Sequence, residues 1–359
     1  MLTLIIITSV FILIYFLYPV WLGLLNDNIC AETSDRDINN ISVIYLSQNG
    51  GNLLYQKLQC ILNEMSAFEN YEFIVIDDNS NDNSLEILKQ FTNYNLNIIH
   101  NNETKGIPDS MNTGIKVAKY NNIIFCDQRQ SLTPGIIKKL IEPLKYKKTG
   151  IVSACISNYD KTNQYSFIRA HENFIKQKEA KTGNLMGVYG PLYAIKKECY
   201  VEIPKNIILD DLYLTLNILP KYQVIFLEDC KIVDDSIDVL YNYKRSRRYL
   251  KGFFQLFQKN ILSKLSLRQT IMLLWHKYFR LLIPLLITSC FVLVGVKCFT
   301  QLRYFILFLS MCILIFIPPL FGFNILKRLQ LKSLFLISIF YSVALLDIII
   351  AEIYFLINK

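Results

Sequence analysis

Only three histidines occur in the 359 residues, His100, His171 and His276, and they are far apart with no ligand spacing between them. Nine cysteines, Cys30, Cys60, Cys126, Cys155, Cys199, Cys230, Cys290, Cys298 and Cys312, form no CxxC pair and are odd in number. A zinc cluster is therefore not expected, and the cysteines read as buried thiols in a reducing compartment rather than as a disulfide framework. No internal repeat or low-complexity tract is present, so the chain is not a repeat array. No basic residue precedes Arg36. A cleaved signal peptide would carry a basic start, an apolar core of about 7–15 residues and a small-residue cleavage site. The uncharged run Leu2 to Leu25 is longer than that and matches the roughly 20 residues needed to cross a hydrocarbon core, so a membrane anchor is expected there.

What is abundant is apolar residues, 52% of the chain with mean hydropathy +0.30, more than one ordinary soluble domain carries. The excess lies at both ends. Beyond Arg280, about Leu281 to Phe299, Tyr304 to Leu326 and Ser333 to Ile357 each approach spanning length, the last interrupted by Asp347 and Glu352. With four spans, Lys259, Lys264, Arg268, Lys277 and Arg280 fall on the same side as Lys327, Arg328 and Lys332, which places the middle of the chain in the cytosol. The net charge of +9 comes from basic residues near these junctions and from KKLIEPLKYKK, not from a pattern interleaved with stacking aromatics. That favours anionic lipid headgroups over nucleic acid as the partner.

Between the apolar ends, residues 26–40 read as a polar linker and residues 41–240 as an α/β domain. ISVIYL (Ile41 to Leu46), YEFIVI (Tyr71 to Ile76), LNIIH (Leu96 to His100) and NIIFC (Asn122 to Cys126) read as buried strands. They alternate with helices at Leu53 to Met65, Ser84 to Phe91 and about Pro108 to Tyr120, which predicts a mostly parallel sheet. Asn83 with Glu86 suggests one helix start, and Thr133 followed by Pro134 another. IVSACI, a charged helix around Glu172 to Lys181, MGVYGPLYAI, ILDDLYLTL and QVIFL follow in a less regular half. Residues 241–277 form a basic interface segment, in which YKRSRRYLKGFFQLFQK (Tyr243 to Lys259) suits an amphipathic helix on a membrane surface. Residues 278–359 hold the three later spans.

Carboxylates recur after the apolar runs: Asp77 and Asp78 in VIDDNSNDNS, Asp127 in FCDQRQ, Asp210 and Asp211 in ILDD. In an open α/β sheet, ligands bind beyond the carboxyl ends of the strands, so acids placed there suggest a nucleotide-diphosphate site. Each has a plainer reading as well. DNSND chemistry suits a turn and helix cap, and an Asp ahead of LYLTLNI suits an N-cap.

In order and spacing, VIDDNSNDNS, FCDQRQ, ILDD and RSRRYLKG resemble the family 2 glycosyltransferases of GT-A fold, in the membrane-embedded branch that includes cellulose, hyaluronan and poly-N-acetylglucosamine synthases. The resemblance runs from about Ile41 to Gln255. It implies an inverting, hexosyltransferase-type enzyme that moves a sugar from a nucleotide donor, with a uridine diphosphate sugar expected, to a polysaccharide or lipid-linked saccharide at the membrane. By the same resemblance Ser47, Asp77, Asp78, Lys105, Asp127, Arg129, Arg245 and Arg248 face the donor. Gly187, Tyr189, Gly190 and Tyr249 face the acceptor, and Asp211 with its partner Asp210 supplies the general base. Asp127 stands first in what is usually an Asp-x-Asp motif holding Mg²⁺ or Mn²⁺, and Arg129 replaces the second acid. One carboxylate with phosphate oxygens still suffices for such a cation. Arg245 and Tyr249 replace the Gln and Trp of the family's Gln-x-x-Arg-Trp box, so that box reads equally as a phosphate contact or a headgroup anchor. The resemblance further implies a multi-pass protein of a bacterial plasma membrane. The alternatives are a single-addition transferase acting on a polyprenyl phosphate and a scaffold that keeps the fold without turnover.

Overall fold

A computed structural model describes residues 9–10, 17–91, 94–158, 166–234, 239–259, 261–279 and 282–298. Among the described residues eight strands are formed: β1 (Asn40–Ser47), β2 (Asn70–Asp77), β3 (Leu96–His100), β4 (Asn122–Cys126), β5 (Ser131–Leu132), β6 (Thr149–Asn158), β7 (Leu192–Lys196) and β8 (Gln223–Asp234). They make one sheet in the order β3-β2-β1-β4-β7-β6-β8-β5. The α/β architecture is the expected one, and β3 and β4 have the expected bounds.

The first half is wound as the alternation predicts. Strand β1 pairs parallel with β2 on one side and β4 on the other, so chain order reverses across β1 and leaves a crevice at the carboxyl ends. Helices Gly51–Met65, Ser84–Lys89 and Ile107–Val117 connect these strands. Gly114 lets the last of them lie close to the sheet, because a Cβ there would stand 2.7 Å from Ile44 Cγ2. All five residues of β4 and of β7 are buried, which is why both read as continuous apolar runs rather than alternating ones.

The second half departs from a mostly parallel sheet. Helix Ser166–Lys181 and the glycine-containing stretch after it return the chain to the end of the sheet where β6 finished, so β7 runs antiparallel to both β4 and β6. The start of β7 therefore lies beside the end of β4, with Leu192 opposite Cys126.

Two predicted caps are built differently. Asn83 precedes its helix but its side chain caps nothing; Asp82 Oδ1 accepts from Ser84 N–H instead. Thr133 is not an N-cap, since its hydroxyl donates to Lys231 O and the helix begins later, at Ile136–Ile141, after a left-handed Gly135 with φ 74°. Glu64, from a different helix, accepts from Gly135 N–H and Ile137 N–H and fills the capping role.

The polar segment 26–39 is fastened to the domain rather than hanging free. Asn28 N–H donates to Lys181 O, Ser34 N–H to Lys145 O, and Arg36 pairs with Glu198. Helix Tyr18–Gly23 docks too, with Tyr18 and Leu22 in the core. Most of the apolar run Leu2 to Leu25 lies outside the described residues, as do the spans Tyr304 to Leu326 and Ser333 to Ile357 with Asp347 and Glu352. Helix Leu282–Cys298 occupies most of the remaining one. Among the described residues no helix is long and apolar enough to cross a membrane.

Candidate active site

The crevice beyond β1 and β2 is built from loops braced against each other. Asn49 N–H donates to Ser80 Oγ, Asn81 N–H to Asn49 Oδ1, Gly50 N–H to Ser84 Oγ and Gly51 N–H to Asp82 Oδ2. Asn49 and Asn79 hold left-handed backbone at φ 52° and 59°, a region that asparagine tolerates better than most residues.

Asp78 organises the far wall. Its Oδ1 accepts from Asn101 Nδ2 and Lys105 N–H, its Oδ2 from Gly106 N–H, all within 2.9 Å. Three donors on one carboxylate set the path of the segment that enters helix Ile107–Val117. Lys105 enters the site through its backbone amide, while its side chain is exposed. Asn101, absent from the sequence-based site, is buried and follows the apolar run of β3 directly. A polar residue immediately after a buried strand was the signal for it.

Asp77, expected at the donor, is turned into the protein. It is fully buried, and its carboxylate accepts from Ser80 Oγ and N–H while lying 2.8 Å from His100 Nδ1. Successive residues at a strand end point to opposite faces, so only one of the Asp77–Asp78 pair can line the crevice. Ser47 is likewise only 2% exposed, and its carbonyl accepts from Asp78 N–H.

At the end of β4, Asp127 is half-buried, its N–H donates to Pro191 O at 2.8 Å, and its Oδ1 accepts from Gln128 N–H at 2.7 Å. Arg129 is exposed and has an interaction partner within the protein. The Pro191 contact brings the segment from Gly187 to Gly190 to the same edge. Gly187 has φ 113°, a left-handed value that a side chain would strain. Gly190 lies against the base candidate, since a Cβ there would stand 3.3 Å from Asp211 Oδ2.

Tyr189, between these glycines, offers no open ring to a sugar. It is buried, donates its hydroxyl to Asn173 Oδ1 at 2.8 Å, packs edge-on against Phe226, and has Lys176 Nζ 4.4 Å from its ring centroid.

Asp210 and Asp211 open helix Asp210–Ile218, and Asp211 Oδ1 accepts from Leu212 N–H. Burial pushes the Asp210 carboxyl up to about 7, helped by the charges of Asp211 and Asp127 and opposed by Arg248. Those influences tie Asp127, Asp210, Asp211 and Arg248 to one electrostatic neighbourhood. Helix Val239–Gln258 brings Arg248 there: Gln255 Oε1 accepts from Ile208 N–H at 3.0 Å, and Gly252 permits close approach to Leu209. Arg248 is exposed at the rim, whereas Tyr249 is half-buried and packs against the core. Arg245 lies on the same helix, and its side chain is outside the described residues.

Among the described residues no group of three or more His, Cys, Asp or Glu side chains forms a metal cage. The residues nevertheless fit a cation shared with phosphate oxygens. Asp127, Asp210 and Asp211 share one electrostatic neighbourhood with Arg248, and Asp210 is raised first by burial and then by the charge of Asp211.

Residues 42–203 match Glycosyl transferase family 2. Glycosyltransferase GlyG of Streptococcus pneumoniae serotype 4 is 28% identical over 141 residues, covering 38% of this chain and 46% of that relative. UDP-Glc:alpha-D-GlcNAc-diphosphoundecaprenol beta-1,3-glucosyltransferase WfaP of Escherichia coli is 26% identical over 119 residues, covering 33% of this chain and 45% of the relative. The chain thus spans less than half the length of these relatives. In fold it is similar to the mannosyltransferase PcManGT from Pyrobaculum calidifontis, solved with GDP-Man and Mn2+, at TM-score 0.76 and 17% identity over 95% of this chain and 97% of that one. The stretch 42–203 that resembles Glycosyl transferase family 2 carries the strands of the mixed sheet from β1 to β7, and the likeness to PcManGT is one of fold.

Proposed function

We propose that the protein is an inverting glycosyltransferase that moves a sugar from a uridine diphosphate donor to a hydroxyl of a polysaccharide or lipid-linked saccharide at a membrane. The observation that carries this reading is the meeting of Asp127, the Gly187 to Gly190 segment and Asp211 at one edge of the sheet. WfaP, whose name gives UDP-Glc as donor and a diphosphoundecaprenol-linked acceptor, supports the donor and acceptor classes.

The donor nucleoside lies in the crevice shaped by Asp78 and the braced loops after β1 and β2. Its diphosphate extends toward Asp127, with Arg248 at the rim to offset its charge. Asp127 would hold a divalent cation, which would supply charge neutralisation for the diphosphate. Asp211 removes the proton of the acceptor hydroxyl as that oxygen attacks the anomeric carbon from the face opposite the diphosphate. The new glycosidic bond forms as the bond from that carbon to the diphosphate oxygen breaks. Asp210, pushed up to about 7, holds a proton through part of the neutral range and limits the negative charge beside the nucleophile.

The membrane placement rests on the apolar runs at both ends and on exposed apolar side chains of the elements that flank the domain. Leu24 is 78% exposed, Leu267 79% and Phe257 56%; Tyr18 and Trp21, just before Leu24, stack with Trp275, just after the helix that carries Leu267. In this reading residues 1–25 anchor the chain, residues 41–240 face the cytosol, residues 241–277 lie along the bilayer and residues 278–359 hold three spans.

The test is nucleotide release from a panel of uridine and guanosine diphosphate sugars, with Asp211→Asn as the control. That variant is expected to lose about 10²–10⁴-fold in turnover and to keep donor binding. Equal turnover in the two proteins would remove the base assignment, and no turnover with any donor would remove the enzymatic reading.

A further inference from the structure

Helix Ser166–Lys181 carries a lysine that the reaction above does not use. Lys176 is 2% exposed, and its ammonium donates to Gly187 O while lying over the Tyr189 ring. A charge so deep persists only where other groups repay its lost hydration. On its own helix Lys176 faces Glu172 and Glu179, with Arg169 sharing the Tyr189 ring from 5.6 Å. From the segment Leu274–Tyr278 come His276 and Lys277: His276 Nδ1 lies 2.7 Å from Glu179 Oε1, and Lys277 Nζ donates to Glu172 Oε1 at 3.2 Å. From helix Asp210–Ile218 comes the charge of Asp211, and from β6 the thiol of Cys155.

We propose that Lys176 is a positioning residue for the transfer, holding the Gly187 carbonyl so that the Gly187 to Gly190 turn stays seated against Asp211. The inference rests on the reading of Asp211 as the base. Lys176 reaches no reacting atom, and it acts through the turn it grips and through its positive charge near the base. The contact is charge-assisted, so it is strongest while Lys176 keeps its proton. Burial, and then the charge of Lys277, lower its pKa to about 7, so the grip weakens as pH rises through neutrality.

The test compares wild type, Lys176→Met and Lys277→Met by two measurements on the full chain. One is amide hydrogen exchange of a peptide covering residues 183–191; the other is the pH profile of nucleotide release from a uridine diphosphate sugar. Wild type is expected to lose turnover above about pH 7; Lys176→Met is expected to speed exchange in 183–191 at least tenfold at pH 6.5, with β1 and β4 unchanged, and to lack that fall. Lys277→Met removes the like charge beside Lys176, so the fall in turnover and the loss of protection should both move to higher pH. It carries the test by itself if Lys176→Met does not fold. Unchanged exchange in 183–191 for Lys176→Met, or an unmoved pH response in Lys277→Met, overturns the proposal. Absence of turnover in wild type would count against the enzymatic reading alone, and the exchange measurements would still decide the role of Lys176.

Discussion

Gly252 and Leu209 meet with no room for a side chain between them: a Cβ on Gly252 would stand 2.5 Å from Leu209 Cγ. Leu209 immediately precedes Asp210, and Gly252 lies one helical turn beyond Arg248, so this contact seats the arginine over the acidic pair. A glycine inside a 20-residue helix is otherwise unfavourable by about 1 kcal/mol relative to alanine, which makes close approach its reason for being there.

Gly252→Ala should therefore stabilise an isolated helix and yet impair the enzyme. The expected outcome is about a tenfold or greater loss of nucleotide release with a modest change in melting temperature. Wild-type turnover in this variant would show that the helix can shift without moving Arg248.

Asp78→Ala strips the partner from three donors, Asn101 Nδ2, Lys105 N–H and Gly106 N–H. A loss of about 2–4 kcal/mol is expected from the midpoint of denaturant unfolding, together with weakened donor binding, because the wall of the crevice is released.

Asp210 links site chemistry to stability. Its folded pKa, about 7, lies above the unfolded value, so the native state binds more protons than the unfolded state between about pH 4 and 7. Stability from this group is therefore full below about pH 4 and declines as pH rises through 7. Asp210→Asn should raise the unfolding free energy at pH 8 without added divalent cation by about 1–3 kcal/mol, and by much less at pH 4.5. A gain independent of pH would contradict the assignment.

Asp127→Ala should abolish any enhancement of donor affinity by Mg²⁺ or Mn²⁺, measured calorimetrically with and without the ion. Identical affinities under both conditions in wild type would remove the cation from the site.

The strand ends were legible because buried parallel strands are short apolar runs, and an acid directly after such a run marks the edge where ligands gather. That logic places Asp78 and Asp127 by local pattern alone, whereas Asp210 and Asp211 follow no strand and open a helix. It fails where the outcome depends on facing rather than on position. Asp77 and Asp78 are indistinguishable as letters, and the pleat sends one into the core against Ser80 and His100 and the other to the loop it braces. Tyr189 reads as an acceptor platform because it is flanked by glycines, and it is instead covered by Phe226 and Lys176. Thr133 has the composition of a cap, and Glu64 from a distant helix takes that role.

By itself, the order of residues determined the α/β class, the strand positions and which acids stand at strand ends, since each follows from patterns within about ten neighbours. Tertiary structure alone decided that β7 runs antiparallel beside β4, and so that the Gly187 to Gly190 turn reaches Asp127 and Asp211. It also decided that Lys176, a residue expected at the surface of a charged helix, is enclosed beneath that turn. The physical reason is the same in both cases: strand direction and burial are set by contacts between segments far apart in the chain, and no local pattern encodes them.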